Sequence, residues 1–373
     1  MREMHGILFA YHSGTKLREI SSQRTVASIP FGGRYRVIDF MLSNMVNSGI
    51  TDVGVIMEEN YQSLLDHLGT GKDWDLSRKR GGLWLLPPFG WSQYSGEKAF
   101  RGKMEALWGV QRYVEHIRQE YVVLADCDVV LNIDLTDVLR HHREAGADIT
   151  AVLSERVGGE AEGTTYLLLD RDGYALDVLL SPAEPKGRQS LGIYLLSKKL
   201  LLELIAHCQS RNLYGFEDNV LQKMRDTLKI SGFVSPAFAV RMQSTPGYFQ
   251  NSMMLLDPRV RTQLLPRDER RRVRTKVRDE APTYYSPGSA VTNTLMADGC
   301  YIDGAIKNSI IFRGVTVEKG ATVENCVLMQ DTVVSAGASL RYVITDKNVV
   351  INAGRSIMGH STYPVAIAKG AVV

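Results

Sequence analysis

The C-terminal stretch constrains the fold most. Cys300, Val317, Val334 and Ile351 stand 17 residues apart, and the segments AIKNSIIFRGV, TVENCVLMQDTV and SLRYVITDKNV align at that spacing. Each period divides into steps of five or six, with apolar residues every sixth position and small or polar turns between. A chain patterned in this way winds into a triangular coil with three short parallel faces, and stacked coils bury one continuous apolar core. In this register Ile306, Val323 and Leu340 point inward. The coils contain no histidine to act as a general base, and His360 comes only at their end, so acyl transfer, which such coils also support, is disfavoured.

Ahead of the coils the pattern changes to alternating strand and helix. HGILFA at 5–10, the run from Val53 to Met57 and YVVLA at 121–125 read as short buried strands. Ile38, Met41, Leu42 and Met45 keep helical spacing until Ser48-Gly49, which predicts a βαβ unit and a doubly wound sheet with its cleft over the strand ends. Further helices are expected over 103–118, 137–145, 198–208 and 248–256. The 373 residues then divide into an α/β domain (1–257), a basic connector (258–285) and a β-helix (286–373). The connector's arginines alternate with acids and lack interleaved aromatics, so it reads as a solvated link and not as a nucleic-acid surface. A net charge of +3 calls for neither nucleic acid nor an anionic membrane. No run of about 18 apolar residues offers a membrane span. Cys127, Cys208, Cys300 and Cys326 have no metal-type spacing, and a reducing cytoplasm is expected.

Three segments carry candidate chemistry. The loop YHSGTKL after the first strand has the placement of a phosphate cradle at a helix start, with Tyr11, His12, Gly14, Thr15 and Lys16 as its residues. The segment RTVASIPFGGRYRVIDFMLSN at 24–44 turns through Gly32-Gly33 into a helix, and Arg34 and Arg36 set two permanent cations beside a turn suited to phosphate. Asp126 and Asp128 end a strand on one side of it, where two carboxylates can hold Mg²⁺ or simply cap a turn.

PFGGRYRVIDFMLSNMVNSGI resembles the N-terminal signature of bacterial ADP-glucose pyrophosphorylases, the glucose-1-phosphate adenylyltransferases. The likeness continues through LGIY at 191–194, TKVRDEAPTYY at 275–285 and the C-terminal repeats. It implies a Rossmann-like nucleotidyltransferase domain followed by a left-handed parallel β-helix, Asp128 as the metal-associated aspartate, and Lys186 with Tyr194 near a sugar phosphate. Arg34 stands where the family has a lysine associated with sugar-phosphate activators.

The departures concern the chemistry. Where the family reads G-G-x-G-[ST]-R-L, Tyr11 and His12 replace two glycines and should obstruct a triphosphate. R-x-K-P becomes Arg24-Thr25-Val26-Ala27, and E-K-P becomes Leu180-Ser181-Pro182. The aspartate of W-R-D-V-G-T is replaced by Arg241 in one register or Asn251 in another. A cation there repels Mg²⁺. The resemblance then implies a degenerate paralogue with little activity, with no residue assigned a catalytic role and Mg²⁺ needed only for residual turnover. It would assemble with a catalytic pyrophosphorylase subunit into a hetero-oligomer, expected to be a tetramer, and would retain a sugar-phosphate effector. The alternative is a working transferase with a reduced site made from Lys16, Asp128 and Lys186.

Overall fold

The computed structural model describes residues 3–11, 17–87, 100–155 and 163–373. Its first domain is built on a nine-stranded sheet. The main path runs Ala175–Leu180, Thr165–Leu169, Arg188–Ser197, Tyr121–Asp126, Met4–Phe9, Asp52–Ile56 and Gly82–Leu86. Ile149–Ser154 pairs with Arg188–Ser197 and carries Ile230–Ser235 beside it. Met4–Phe9 is parallel to both of its neighbours, as expected for a strand buried on both faces, and all six of its residues are buried. Arg188–Ser197 is antiparallel to Tyr121–Asp126, so the sheet is mixed.

Two apolar clusters cover the faces of the sheet. One gathers Ile38, Met41, Leu42 and Met45 from the helix Val37–Asn47, which is the face predicted by their spacing. The other gathers Leu201, Leu204 and Ile205 from Lys198–Gln209. The helix expected over 103–118 is interrupted: Lys103–Gly109 and Gln111–Glu115 are separate, with Val110 at φ −115° and ψ 21° between them. The helix expected from 248 begins earlier, at Thr245–Met254, because the Ser244 side chain accepts from the Gly247 N–H and Pro246 suits the first turn.

The C-terminal coils form a left-handed parallel β-helix with three five-stranded sheets. Ile306, Val323 and Leu340 stack in one column, each about 1% exposed. The 17-residue register changes at its first step. Ile302, not Cys300, pairs with Val317, so that coil is 317 − 302 = 15 residues long, while Val317 to Val334 and Val334 to Ile351 keep the longer period. Cys300 lies in the turn before its strand, with Sγ donating to backbone carbonyls.

The connector is not simply solvated. Leu264 and Val273 are buried in the apolar cluster that joins the two domains. Asn132 and Asn47 donate to the Arg271 and Arg272 carbonyls, and the Arg274 N–H donates to Ser43 Oγ at 2.8 Å. Hydrogen bonds between first-domain side chains and its backbone and two apolar anchors fasten this charged segment to the first domain, a feature its composition conceals.

The segment at 24–44 forms the seam between the domains. Pro30–Phe31 and Tyr35–Arg36 make a hairpin whose Gly32 and Gly33 have φ of +63° and +84°, a region that favours glycine. A Cβ on Gly32 would press on Leu255, and one on Gly33 would come to 3.5 Å from the Ile311 carbonyl of the β-helix. Phe31, Phe249 and Leu255 meet Ile310, Phe312, Val327 and Ile344, which point outward from the coils. Arg24 clamps the seam by donating to both oxygens of Asp346 at 2.6 and 2.8 Å.

Candidate functional site

Strand ends and several connecting segments line a cleft of about 570 Å³ whose residues include Phe9, Tyr11, Lys103, Asp126, Tyr194 and Arg241. Asp126 ends its strand there, and Asp128 stands two residues on, after Cys127. Arg241 is delivered by a second strand pair, Ala239–Arg241 against Val129–Leu131, in which Arg241 lies opposite Val129. That pairing sets its side chain beside both aspartates. Nη2 donates to Asp128 Oδ1 and Oδ2 at 2.9 and 2.8 Å and to Asp126 Oδ2 at 3.1 Å. Nε donates to Asp128 Oδ2 at 3.1 Å, and Nη1 to the Ser190 carbonyl at 3.3 Å. Of the two residues that could stand in for the missing aspartate, Arg241 is the one that lies against Asp126 and Asp128. Asn251 lies on the following helix and donates from Nδ2 to the Arg241 carbonyl at 2.9 Å, fixing the strand that carries the arginine.

A second cation completes the network. Lys103, the first residue of its helix, reaches Asp126 at 2.8 Å and also bonds Glu217, whose carboxylate accepts from the Tyr194 hydroxyl at 3.2 Å. Three carboxylates, Asp126, Asp128 and Glu217, thus surround two cations. Burial opposes the charge of Arg241, but Asp128 and Asp126 outweigh it and raise its pKa. Burial likewise opposes the charge of Lys103, and Asp126 with Glu217 raises its pKa. Both therefore remain cations at every working pH.

The glycine of LGIY has a defined task in this site. Gly192 has φ +67°, and a Cβ there would lie 2.1 Å from Asp126 Oδ2. Its absence lets the carboxylate sit against the strand. Tyr194, from the same motif, lines the cleft and packs on Phe216 with ring centroids 5.0 Å apart.

The other expected residues are distributed differently. Tyr11 is at the cleft, its ring 5.5 Å from Phe100, and burial pushes its hydroxyl pKa well up. His12, Gly14, Thr15 and Lys16 lie outside the described residues. Lys186 is exposed, 3.8 Å from Glu184, and is absent from the described lining, although Leu180 and Ser181 nearby belong to it. Gly32, Gly33, Arg34 and Arg36 are at the seam and not in the cleft. Arg34 is exposed. Arg36 is buried, bonds Ser63, and its pKa falls to about 10 because burial, together with Arg24 and Arg278, outweighs the help of Asp39.

Beside that seam lies Lys347, which sequence reasoning did not single out. Burial and the nearby Arg36, Arg24 and Arg278 lower its pKa to about 7, against the pull of Asp346. The chain brings together at this point Lys347, two arginines more than three hundred positions before it and Arg278 from the connector, which no local motif announces. Lys103 and Glu217 were missed for the same reason.

Mg²⁺, implied by the resemblance, does not fit these residues. It requires oxygens at about 2.0–2.1 Å in near-octahedral order. Here both oxygens of Asp128 and one of Asp126 already hold a guanidinium. Among the described residues no group of three or more His, Cys, Asp or Glu is arranged to hold a metal.

Fold and cleft together define a nucleotidyltransferase-type α/β domain joined to a hexapeptide β-helix. Residues 5–231 match the nucleotidyl transferase model, and residues 283–362 match the GlmU-like C-terminal hexapeptide model. The chain belongs to the nucleotidyl transferase family, within the group that holds glycogen biosynthesis protein GlgD and glucose-1-phosphate adenylyltransferases. It is 35% identical to glycogen biosynthesis protein GlgD of Bacillus subtilis over 86% of this chain and 83% of that one. It is 31% identical to glucose-1-phosphate adenylyltransferase of Geobacillus stearothermophilus over 85% and 82% of the two chains. No helix among the described residues is long and apolar enough to cross a membrane.

Proposed function

We propose that this protein is a catalytically weak, regulatory subunit in glycogen biosynthesis, acting in the cytoplasm in a hetero-oligomer with a catalytic glucose-1-phosphate adenylyltransferase. The observation that carries the reading is Arg241 between Asp126 and Asp128. Attack of a sugar phosphate on the α-phosphorus of ATP needs positive charge on both the nucleophile and the departing pyrophosphate, ordinarily from a metal held by two carboxylates. In this cleft those carboxylates are neutralised by the protein itself, and Lys103 is occupied by Asp126 and Glu217. Individual losses of this kind cost about 2–4 kcal/mol of transition-state stabilisation.

The isolated chain, supplied with ATP, glucose-1-phosphate and Mg²⁺, is expected to form ADP-glucose far more slowly than a catalytic relative. Turnover in the ordinary range of roughly 1–1,000 per second would overturn the reading. Co-purification with a catalytic subunit tests assembly, and identical kinetics of that subunit with and without this chain would remove the regulatory role.

The seam supports an anionic effector, a sugar phosphate being the class the family resemblance suggests. Arg24, Arg36 and Arg278 crowd Lys347 with like charge, and Arg34 stands exposed on the same hairpin. An anion bound there favours the charged lysine and raises its pKa from about 7. Above pH 7 binding then takes up a proton, so affinity for a sugar bisphosphate is expected to fall roughly tenfold per pH unit until the raised pKa is reached. Calorimetry from pH 6.5 to 8.5 reads this directly. Lys347→Met should flatten the dependence, and equal slopes in the two proteins would exclude Lys347 as an effector contact.

A further inference from the structure

We infer that Arg241 is the protein's own replacement for a divalent cation, and that it keeps closed a latent metal site formed by Asp126 and Asp128. The inference rests on reading the cleft as one that works without Mg²⁺, and it adds what stands in the metal's place and what removing it would restore.

The geometry is that of a chelated cation. The guanidinium contacts both oxygens of one carboxylate and one oxygen of the other, with donor distances of 2.8 to 3.1 Å. All three side chains are nearly shielded from water, with exposures of 7% for Arg241, 7% for Asp126 and 1% for Asp128. Two buried carboxylates this close require a positive charge between them, since water cannot screen their repulsion. Arg241 supplies it permanently.

The backbone around the arginine is held independently of its side chain. Val240 pairs with Val130 and Ala239 with Leu131, the Met242 N–H donates to the Asp128 carbonyl at 2.7 Å, and Asn251 holds the Arg241 carbonyl. A shorter side chain at 241 therefore starts from the same Cβ, aimed at the same carboxylates, and vacates the volume of the guanidinium. An aspartate there makes three carboxylates around that volume. Lys103 keeps its own contacts with Asp126, at 2.8 Å to Oδ1 and 3.0 Å to the Oδ2 that Arg241 also holds, and is bound to Glu217 as well. Three hard oxygen donors with room for water suit Mg²⁺, Mn²⁺ or Ca²⁺.

The test uses the full chain and Mn²⁺ as the probe, read by electron paramagnetic resonance and by thermal melting. Wild type is expected to show no saturable Mn²⁺ site in the cleft and no shift in Tm. Arg241→Asp is expected to melt lower in chelator, to bind one Mn²⁺ at least tenfold more tightly than wild type, and to regain Tm as Mn²⁺ or Mg²⁺ is added. Asp128→Asn in that background should abolish both effects. Arg241→Met, a neutral side chain of similar length, guards against a folding failure: it should bind Mn²⁺ more weakly than Arg241→Asp but more tightly than wild type. The inference is overturned if wild type binds Mn²⁺ at a site that Asp128→Asn removes. It is also overturned if Arg241→Met folds and gains no affinity, or if Arg241→Asp gains neither affinity nor Tm from the metal. An inactive wild type whose Arg241→Asp variant ignores metal would sink this inference alone. A wild type with ordinary Mg²⁺-dependent turnover would sink the proposed function as well.

Discussion

Val323→Asp is expected to unfold the C-terminal coils. Val323 is 1% exposed and stacks between Ile306 and Leu340 in a column with no charged partner. An aspartate there must either remain ionised without a counter-charge or take up a proton, and either outcome costs more than about 4 kcal/mol, at the severe end for a single substitution. Each coil stacks directly on the next, so the damage spreads to the coils above and below. Circular dichroism during thermal and urea unfolding measures the loss, with Lys319→Gln on the exposed turn as a control. A melting temperature unchanged from wild type would mean that the inward register has been assigned to the wrong residues.

Asp346→Asn should be nearly as damaging, by a different route. Asp346 and Arg24 are each 3% exposed and form a two-bond pair between domains, 322 residues apart in sequence. The amide keeps the shape but removes the charge that faces a buried guanidinium, whose Nη2 makes both bonds to Asp346 and whose Nη1 has no hydrogen-bond partner among the described residues. Breaking a buried pair from one side costs about 3–5 kcal/mol, whereas replacing both partners with apolar groups is often close to neutral. The double variant Arg24→Met/Asp346→Leu is therefore expected to recover most of the lost stability in urea titrations. If the double variant is no more stable than Asp346→Asn, the pair does not act through its charge.

Several elements of this architecture are readable locally. The spacing of Ile38, Met41, Leu42 and Met45 identifies the buried face of Val37–Asn47 because a helix of 3.6 residues per turn repeats that stripe wherever it packs. The hairpin glycines are readable too, although their task is not. Gly32 and Gly33 adopt the left-handed conformations that glycine permits, and the turn they make lies against the β-helix, which no local pattern announces. The connector misled for a related reason. A run of arginines and acids looks solvated, while the bonds that fasten it come from Asn132, Asn47 and Ser43, all distant in sequence.

What the sequence determined alone is the repeating inside and outside of the coils and the strand and helix order of the first domain. These are properties of neighbours along the chain, and backbone geometry turns them directly into periodicity. Only the tertiary structure set Arg241 against an aspartate 113 residues away and closed Lys103 onto Asp126 and Glu217. It also set Lys347 among arginines from the first domain and the connector. The energy of a charge depends on burial and on separations of a few ångströms. Those quantities do not exist until remote strands have paired.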